Sequence, residues 1–187
     1  MRVIGGKLRG KSINFLKSKK TRPLKDSVRE NIFNILMHSN LIKVKVDNAN
    51  ILDLYSGIGS FGIECISRGA RKITFVEKDL ETSKILEKNL ERLSLEKQTI
   101  VFNNEILDFL KMKKLEKFEI IFLDPPFADN SYIHYLEKIY TNKIYKKNHL
   151  LIIHRDVKKD DKLDNIVNHI KTKKYGRSKV IFGEFLT

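Results

Sequence analysis

The sequence is poor in the residues that stabilise secreted proteins and in the segments that cross membranes. It contains one cysteine, no tryptophan and three prolines. Because Cys65 cannot form an internal disulfide and the first residues lack the apolar core of a signal peptide, we expect a protein of the reducing cytoplasm, with Cys65 packed in the core. Apolar runs such as 120–123 and 150–153 are four residues long, far below the roughly 18 residues of a membrane span. The 187 residues therefore predict one soluble domain.

Acidic residues are also scarce relative to basic ones, most of all near the N-terminus. The chain has 37 lysines and arginines against 23 acidic residues, a formal net charge of +14, and residues 1–25 contain nine basic residues and no acid. This charge favours a polyanionic partner. A coding bias towards lysine, 28 against 9 arginines, explains the lysine patches near 111–117 and 171–174. It does not explain the arginines of the first 25 residues, which we interpret as phosphate contacts.

From residue 26 onward, the hydrophobic pattern predicts alternating helices and strands. Asp26 can cap a helix that runs to about His38. Strands are then predicted at 50–54, 72–77, 99–102 and 118–123, separated by helices at 60–68, 79–93 and 105–111. A helix at 131–141, a strand at 149–153, a charged loop at 155–164 and closing strands at 166–174 and 178–186 follow. This order predicts an α/β, three-layer sandwich whose mostly parallel sheet is covered by helices on both faces.

The first 22 residues are predicted to form an appended basic hairpin or arm, with residues 23–187 as the main domain. Residues 5–12 match the phosphate-loop pattern G-x-x-x-x-G-K-[ST]. A phosphate loop must open a helix, however, whereas residues 12–15 alternate like a strand. Nucleotide hydrolysis is therefore not expected. The match of residues 154–156 to a kinase catalytic loop is attributed to chance, because the chain is short and no D-F-G follows.

A glycine-rich loop after the first predicted strand indicates a cofactor site. Residues 52–62 read LDLYSGIGSFG, and Glu77 follows Gly57 by twenty positions at the end of the next strand. Such glycines let a tight turn approach a ligand, and an acid at that place can accept both hydroxyls of a ribose. Asp53 would repel a pyrophosphate but could hold an ammonium group. The pattern therefore favours S-adenosylmethionine, with a dinucleotide such as NAD as the alternative.

The tetrapeptide Asp124-Pro125-Pro126-Phe127, directly after an apolar strand, indicates chemistry on an amine. Two prolines remove two N–H donors, so the loop offers carbonyl acceptors beside the Asp124 carboxylate. An exocyclic base amine could donate to Asp124 and to the Pro125 carbonyl while Phe127 stacks on the ring. A rigid loop with an incidental aromatic residue is the alternative reading.

These features resemble the bacterial small-subunit ribosomal RNA (guanine-N2)-methyltransferases over nearly the whole chain. The resemblance rests on residues 2–6 with Arg9-Gly10, on Arg22-Pro23 followed by residues 26–30, on the loop 53–62 with Glu77, on residues 124–127 and on Tyr175-Gly176. Leu24 replaces the usual threonine, and His154 stands where relatives carry an acid. The resemblance implies a class I, Rossmann-like methyltransferase fold, a seven-stranded sheet with an antiparallel last strand, and a guanine target in ribosomal RNA. It also implies an adenine contact that either Asn104 or Glu105 could make.

Three sets of candidate site residues follow. The catalytic set is Asp124, Pro125, Pro126 and Phe127. The cofactor-binding set is Asp53, Tyr55, Ser56, Gly57, Gly59, Glu77, Lys78, Asn104, Glu105 and Asp124. The RNA-binding set is Arg2, Lys7, Arg9, Lys11, Arg22, Asp26 and Arg29. No metal site is expected, because the five histidines lack metal-ligand spacing.

The hypothesis is therefore methyl transfer from S-adenosylmethionine to the N2 amine of a guanine in 16S ribosomal RNA, free or in an assembling small subunit. A monomer is the default expectation. Two alternatives from the residues are a DNA adenine-N6 methyltransferase, for which the sequence offers no separate DNA-reading domain, and a non-catalytic RNA-binding assembly factor. An NAD-dependent dehydrogenase is the third alternative, but that reaction would assign no role to residues 124–127.

Overall fold

A seven-stranded sheet forms the centre of the computed structural model, which describes residues 1–15 and 24–186. The strands are β1 (Asn50–Leu54), β2 (Lys72–Val76), β3 (Thr99–Phe102), β4 (Phe118–Leu123), β5 (Tyr145–Asp156), β6 (Val167–Tyr175) and β7 (Ser178–Phe185). Their order across the sheet is β3-β2-β1-β4-β5-β7-β6. The pairs from β3 to β5 are parallel, whereas β7 is antiparallel to both β5 and β6. The predicted α/β sheet with an antiparallel last strand is confirmed.

In the described part of the chain, five α-helices cover the two faces of the sheet. They are α1 (Asp26–His38), α2 (Ser60–Ser67), α3 (Leu80–Arg92), α4 (Ile106–Leu110) and α5 (Ser131–Thr141). Because side chains alternate along a strand, Ile51 packs in the core under α1 to α3 and Leu52 packs in the core under α4 and α5. Within the described ranges, no helix has the length and apolar character needed to cross a membrane.

Almost every predicted element ends within one residue of its observed boundary, and β5 is the exception. It extends from Tyr145 to Asp156, beyond the predicted 149–153 and into the stretch expected to be a loop. Its extension is paired with β7 as far as Asp156 and Ser178. Arg155 is fully buried there and is bound by Asp161. A charged sequence can continue a central strand when its charge is paired inside the protein.

Residues 1–15 are docked on the domain and share its hydrophobic core. Arg2 and Ser12 form a single antiparallel bridge, and a 3-10 turn covers Gly6–Leu8. Val3 and Ile13 are buried in the core under α1 to α3. Within residues 1–15, the segment is thus a hairpin-like turn without an α-helix. The predicted boundary at residue 22 falls in 16–23, outside the described residues.

A buried carboxylate on α2 attaches this N-terminal segment. Glu64 is inaccessible to solvent, and its two oxygens accept hydrogen bonds from the backbone N–H groups of Ile4 and Gly5, at 2.8 and 2.7 Å. The Arg68 guanidinium donates to the same carboxylate at 2.9 Å, and Arg29 Nε lies 3.9 Å away. The charge of Glu64 is therefore compensated by two N–H donors and two arginines.

We expect Glu64→Gln to lower the free energy of unfolding by about 3 kcal/mol, because the amide group cannot accept at both positions and leaves buried arginines without their counter-charge. Urea denaturation followed by circular dichroism measures the change. Glu87→Gln on the exposed face of α3 is the control, with an expected change within about 0.5 kcal/mol. Equal stability of the two variants would contradict the anchoring role of Glu64.

Candidate active site

The register of the parallel strands brings the predicted site residues to one edge of the sheet. Leu54 of β1 pairs with Val76 of β2 and with Leu123 of β4, and Leu123 pairs with Ile153 of β5. The residues that directly follow these four aligned positions are therefore neighbours. His154, which follows Ile153, lies inside β5, because that strand continues to Asp156. Glu77, Asp124 and His154 meet at the carboxyl ends, where ligands bind in open α/β sheets.

A cavity of about 710 Å³ opens at this edge. Its wall includes most of the predicted cofactor and catalytic residues: Asp53, Tyr55, Ser56, Gly57, Glu77, Lys78 and residues 124–127. The wall does not include Gly59, Asn104 or Glu105. The fold thus places two predicted sets, the cofactor loop and the amine-binding tetrapeptide, in a single cavity.

The three glycines of the loop have different surroundings. Gly57 has φ +55°, and a Cβ there would meet no atom within 4 Å. A Cβ on Gly59 would lie 2.3 Å from Leu86 Cδ1, and one on Gly62 would lie 2.3 Å from the Phe75 ring. Gly57 therefore leaves room for a ligand beside the backbone. Gly59 does not line the cavity, and its lack of a side chain lets α3 pack against the loop. Its contact with the cofactor stays a prediction.

Glu77 is held by backbone donors in a position to accept further hydrogen bonds. One carboxylate oxygen accepts from Gly57 N and the other from Asp79 N, each at 2.8 Å. Burial raises the pKa of Glu77, and these N–H groups act against the rise. Each oxygen keeps a lone pair. The group can therefore accept two hydroxyl donors while its position is fixed.

Asp53 is a buried carboxylate that forms no ion pair with any residue in 1–15 or 24–186. Its Oδ2 accepts from Gly62 N at 3.1 Å, whereas its Oδ1 is buried without a hydrogen-bond partner among the described residues. Burial raises the pKa of Asp53 well above its ordinary value, and the Gly62 N–H opposes this rise. Ser56 Oγ is also buried and has no partner in the described part of the chain. A cationic ligand group in the cavity would stabilise the ionised form of Asp53.

The tetrapeptide is anchored through Pro126. Its carbonyl accepts from Asp129 N at 2.8 Å and from Arg155 Nη1 at 3.2 Å. The same guanidinium donates to Asp161 and Asn130, and it stacks 4.4 Å from the centre of the Tyr132 ring. Arg155 therefore holds the loop at residues 124–127 in place through the Pro126 carbonyl. The sequence does not indicate this role, because the charged stretch that begins at Arg155 is typical of a loop.

Asp124 is paired with a histidine from the adjacent strand. His154 Nδ1 lies 2.7 Å from Asp124 Oδ1, and the Phe127 ring meets the imidazole edge-on with 5.7 Å between ring centres. His154 Nε2 is buried and has no partner within the described parts of the chain. In the sequence, the only indication of this pair is His154 itself, a histidine at a position where members of the resembled family carry an acid.

The residue expected to contact an adenine ring does not lie on the cavity wall. Asn104 and Glu105 are both exposed, and Glu105 pairs with Lys78 on the surface, at 3.4 Å. Their neighbour Asn103 instead turns inward, and its amide donates to the Glu77 carbonyl at 2.8 Å. Asn103 thus supports the end of β2. The contact of Asn104 or Glu105 with an adenine ring stays a prediction, which places the ring beyond the cavity wall.

The residues predicted to contact RNA divide into exposed and buried groups. The side chains of Arg2, Lys7, Arg9 and Lys11 are exposed, and Asp26 is half exposed. Arg29 is fully buried, donating to the Arg2 carbonyl at 2.6 Å and to Asp26 at 3.0 Å. Its predicted contact with RNA is therefore wrong, since the guanidinium ties α1 to the N-terminal segment. Arg22 lies outside the described residues.

Two further elements complete the cavity wall. They are the start of α1, with Leu24, Lys25 and Val28, and the turn between β6 and β7, at residues 175–178. The sequence marks Tyr175 and Gly176 only through their resemblance to a family. Chain segments far apart in sequence therefore meet in one cavity wall. Among the described residues, no cluster of three or more histidine, cysteine or acidic side chains could hold a metal ion.

Comparison with known proteins gives a consistent result. Residues 1–184 match the family described as Conserved hypothetical protein 95. The chain is 36% identical over 155 residues to Ribosomal RNA small subunit methyltransferase D of Haemophilus influenzae, covering 82% of this chain and 77% of that protein. It is 39% identical over 127 residues to the protein of the same name from Escherichia coli K12, covering 68% of this chain and 60% of that protein.

Solved structures share the fold. The structure described as "Putative methyltransferase yhhF from Escherichia coli" superposes with a TM-score of 0.86 at 26% identity, covering 100% of this chain and 98% of that one. A hypothetical protein from Thermus thermophilus superposes with a TM-score of 0.79 at 23% identity, covering 98% of this chain and 99% of that one.

The buried Arg155 network yields a test. Replacing Arg155 with Met removes the donors to Pro126, Asp161 and Asn130, and we expect a loss of about 3 kcal/mol in the free energy of unfolding. Chemical denaturation measures it. Arg71→Met, an exposed arginine, is the matched control and should change stability by less than about 0.5 kcal/mol. If Arg155→Met lowers the free energy of unfolding no more than the control does, other contacts hold the loop at residues 124–127.

Proposed function

The chain belongs to the family described as Conserved hypothetical protein 95, with relatives named ribosomal RNA small subunit methyltransferase D, and from this premise we propose that it methylates ribosomal RNA. The finer proposal is transfer of a methyl group from S-adenosylmethionine to the N2 amine of a guanine in the small-subunit RNA. The observation that carries it is the single cavity that joins the Asp53 to Gly57 loop to residues 124–127.

The cofactor-loop side of the cavity fits S-adenosylmethionine. Asp53 Oδ1 and Ser56 Oγ are buried polar atoms without partners among the described residues, suited to the ammonium and carboxylate of an amino acid group. Glu77 would accept from the ribose hydroxyls, and Gly57 leaves room beside the backbone. The cofactor, when bound, supplies a methyl group on a positively charged sulfur. A pyrophosphate would meet the Asp53 charge, which argues against a dinucleotide.

The other side of the cavity fits an amine acceptor. Asp124 and the Pro125 carbonyl would accept the two amine hydrogens, since the Pro126 carbonyl is already occupied. This arrangement aligns the nitrogen lone pair, and the carboxylate stabilises the positive charge that develops on nitrogen. Phe127 would stack on a base swung out of its helix or loop. The residues thus act by orientation and charge.

The RNA itself would be held by exposed basic side chains. Arg2, Lys7, Arg9 and Lys11 are candidates on the N-terminal segment. Lys7 Nζ lies 3.5 Å from Gln98 Oε1, just before the amino end of β3, so this side chain lies towards the end of the sheet opposite the cavity. Lys25 and Arg177, which line the cavity and are exposed, would meet phosphates near the target base.

Replacing Asp124 with Ala should reduce methyl transfer by at least about a hundredfold, because the amine loses its charged acceptor. The assay is incorporation of labelled methyl groups into small ribosomal subunits from cells that lack the gene. Calorimetry should give Asp124→Ala a cofactor affinity within about threefold of wild type, whereas Glu77→Ala should lose at least about tenfold. Full turnover by Asp124→Ala would contradict the assigned role.

Product analysis decides between the proposed target and its alternatives. Nucleosides from the labelled subunits should contain N2-methylguanosine. N6-methyladenosine from duplex DNA would instead indicate a DNA methyltransferase, and calorimetric failure to bind S-adenosylmethionine would indicate a non-catalytic assembly factor.

Neutralising Lys7, Arg9 and Lys11 together, each to Gln, should weaken RNA binding and reduce the slope of log K against log salt by roughly 0.9 per lost phosphate contact. Filter binding at several salt concentrations measures the slope. Lys113, Lys114 and Lys117, also exposed, provide a control triple substitution with the same loss of net charge. Identical slopes for both triple variants would place the RNA elsewhere.

A further inference from the structure

A hydrogen bond joins the cofactor loop after β1 to the loop after β4, and the proposed reaction has not used it. Tyr55 directly follows β1 and lines the cavity. Its hydroxyl donates to Asp129 Oδ2 at 2.8 Å, although the two residues are 74 positions apart in sequence. Burial, and then this hydrogen bond, raise the pKa of Tyr55. The hydroxyl therefore keeps its proton and acts as the donor.

Asp129 closes the turn that contains Phe127. Its backbone N–H donates to the Pro126 carbonyl at 2.8 Å, which closes a four-residue turn with Phe127 at its second position. Its Oδ1 accepts from the N–H of Ser131, the first residue of α5, at 2.7 Å. Burial acts to raise the pKa of Asp129, but the hydrogen bonds from Ser131 and Tyr55 lower it. Asp129 is thus an ionised acceptor at the centre of this loop.

The backbone of Tyr55 has a conformation that its surroundings must hold. Its φ of +57° lies in the left-handed region, which is uncommon for a residue with a side chain. Such conformations persist where other contacts fix them, and they are concentrated at functional sites. The ring of Tyr55 lies 6.1 Å from that of Tyr135 on α5, between ring centres. The side chain thus reaches α5, while Ser56 and Gly57 continue the cavity wall.

Methyl transfer requires that the donor and the acceptor be held at a fixed distance. Misplacement by about 1 Å can slow such a reaction by roughly a hundredfold. In the proposed function, residues 53–57 hold the donor and residues 124–127 hold the acceptor, on two separate loops. The pairing of β1 with β4 ends at Leu54 and Leu123. Beyond that point, the hydrogen bond from Tyr55 to Asp129 joins the two loops.

We propose that Tyr55 is a positioning residue for methyl transfer, whose hydroxyl acts through Asp129 to hold the Phe127 turn at a fixed place relative to the cofactor loop. The inference rests on the proposed function and deepens it, because it assigns the alignment of the two reactants to one hydroxyl group. In this role the hydroxyl contacts neither reactant. Its removal should therefore slow the transfer without weakening the binding of the cofactor.

Tyr55→Phe removes this hydroxyl and keeps the aromatic ring. We expect the single-turnover rate of methyl transfer to small ribosomal subunits to fall at least about fivefold. Calorimetry should give a dissociation constant for S-adenosylmethionine within about twofold of wild type. Tyr145→Phe is the matched control. Tyr145 begins β5 at the end of the sheet opposite the cavity, so the loss of its hydroxyl should leave the rate unchanged.

A double-mutant cycle with Asp129→Ala tests whether the hydroxyl acts through Asp129. Asp129→Ala should slow single-turnover transfer at least as much as Tyr55→Phe does, because it also removes the acceptor of the Ser131 N–H. In the Asp129→Ala protein, adding Tyr55→Phe should change the rate by less than about twofold, since the hydroxyl has no partner left. Circular dichroism at the assay temperature verifies that each variant is folded. If Asp129→Ala does not fold, the comparison of Tyr55→Phe with Tyr145→Phe decides alone.

The outcomes separate this inference from the proposed function. A wild-type protein that forms no N2-methylguanosine contradicts both. Where wild type methylates guanine, an unchanged single-turnover rate in Tyr55→Phe overturns the positioning role alone. A loss of cofactor affinity as large as the loss of rate also overturns it, because the hydroxyl then serves cofactor binding. Additive effects in the cycle overturn the link through Asp129. A slower transfer with unchanged cofactor affinity and a non-additive cycle supports the inference.

Discussion

The parallel register of β1, β2, β4 and β5 is the constraint on which the rest of the site depends. Because Leu54, Val76, Leu123 and Ile153 are aligned by backbone hydrogen bonds, the residues that follow them must meet at one edge. A shift of one residue in any pair would turn the following side chain to the opposite face of the sheet. The proximity of Asp124 to His154, and of Glu77 to the glycine loop, is thus a consequence of strand pairing.

The cavity is rich in acidic side chains, whereas the chain as a whole is basic. The chain carries a net charge of +14, yet four carboxylates line the cavity, against three basic side chains: Asp53, Glu77, Asp79 and Asp124 against Lys25, Lys78 and Arg177. A charge in this partly buried cavity is screened by salt less than the charges of the exposed bases are. Basic residues outside suit a polyanion, and acids inside suit a cationic donor and an amine.

The sequence predicted an RNA contact for Arg29 and a loop at Arg155. Both arginines are instead buried and have structural roles. Arg29 and Arg155 are both fully buried, and each satisfies backbone carbonyls as well as carboxylates. Arg29 ties the N-terminal segment to α1, and Arg155 holds Pro126 beside the site. The guanidinium of one arginine can donate hydrogen bonds to several acceptors in different chain segments. It can therefore fix the relative position of those segments, an effect that the net charge does not show.

The sequence by itself determined the order of the elements, because apolar periodicity and the glycine loop act over a few residues. It also determined that the site contains the carboxylates of Asp53, Glu77 and Asp124. Tertiary structure alone decided the length of β5, the burial of Arg29, the exposure of Asn104 and the meeting of His154 with Asp124. Each of these depends on partners distant in the chain, such as Ser178 for Asp156 and Arg2 for Arg29. Local patterns contain no information about such partners, and the burial of a charge depends on them entirely.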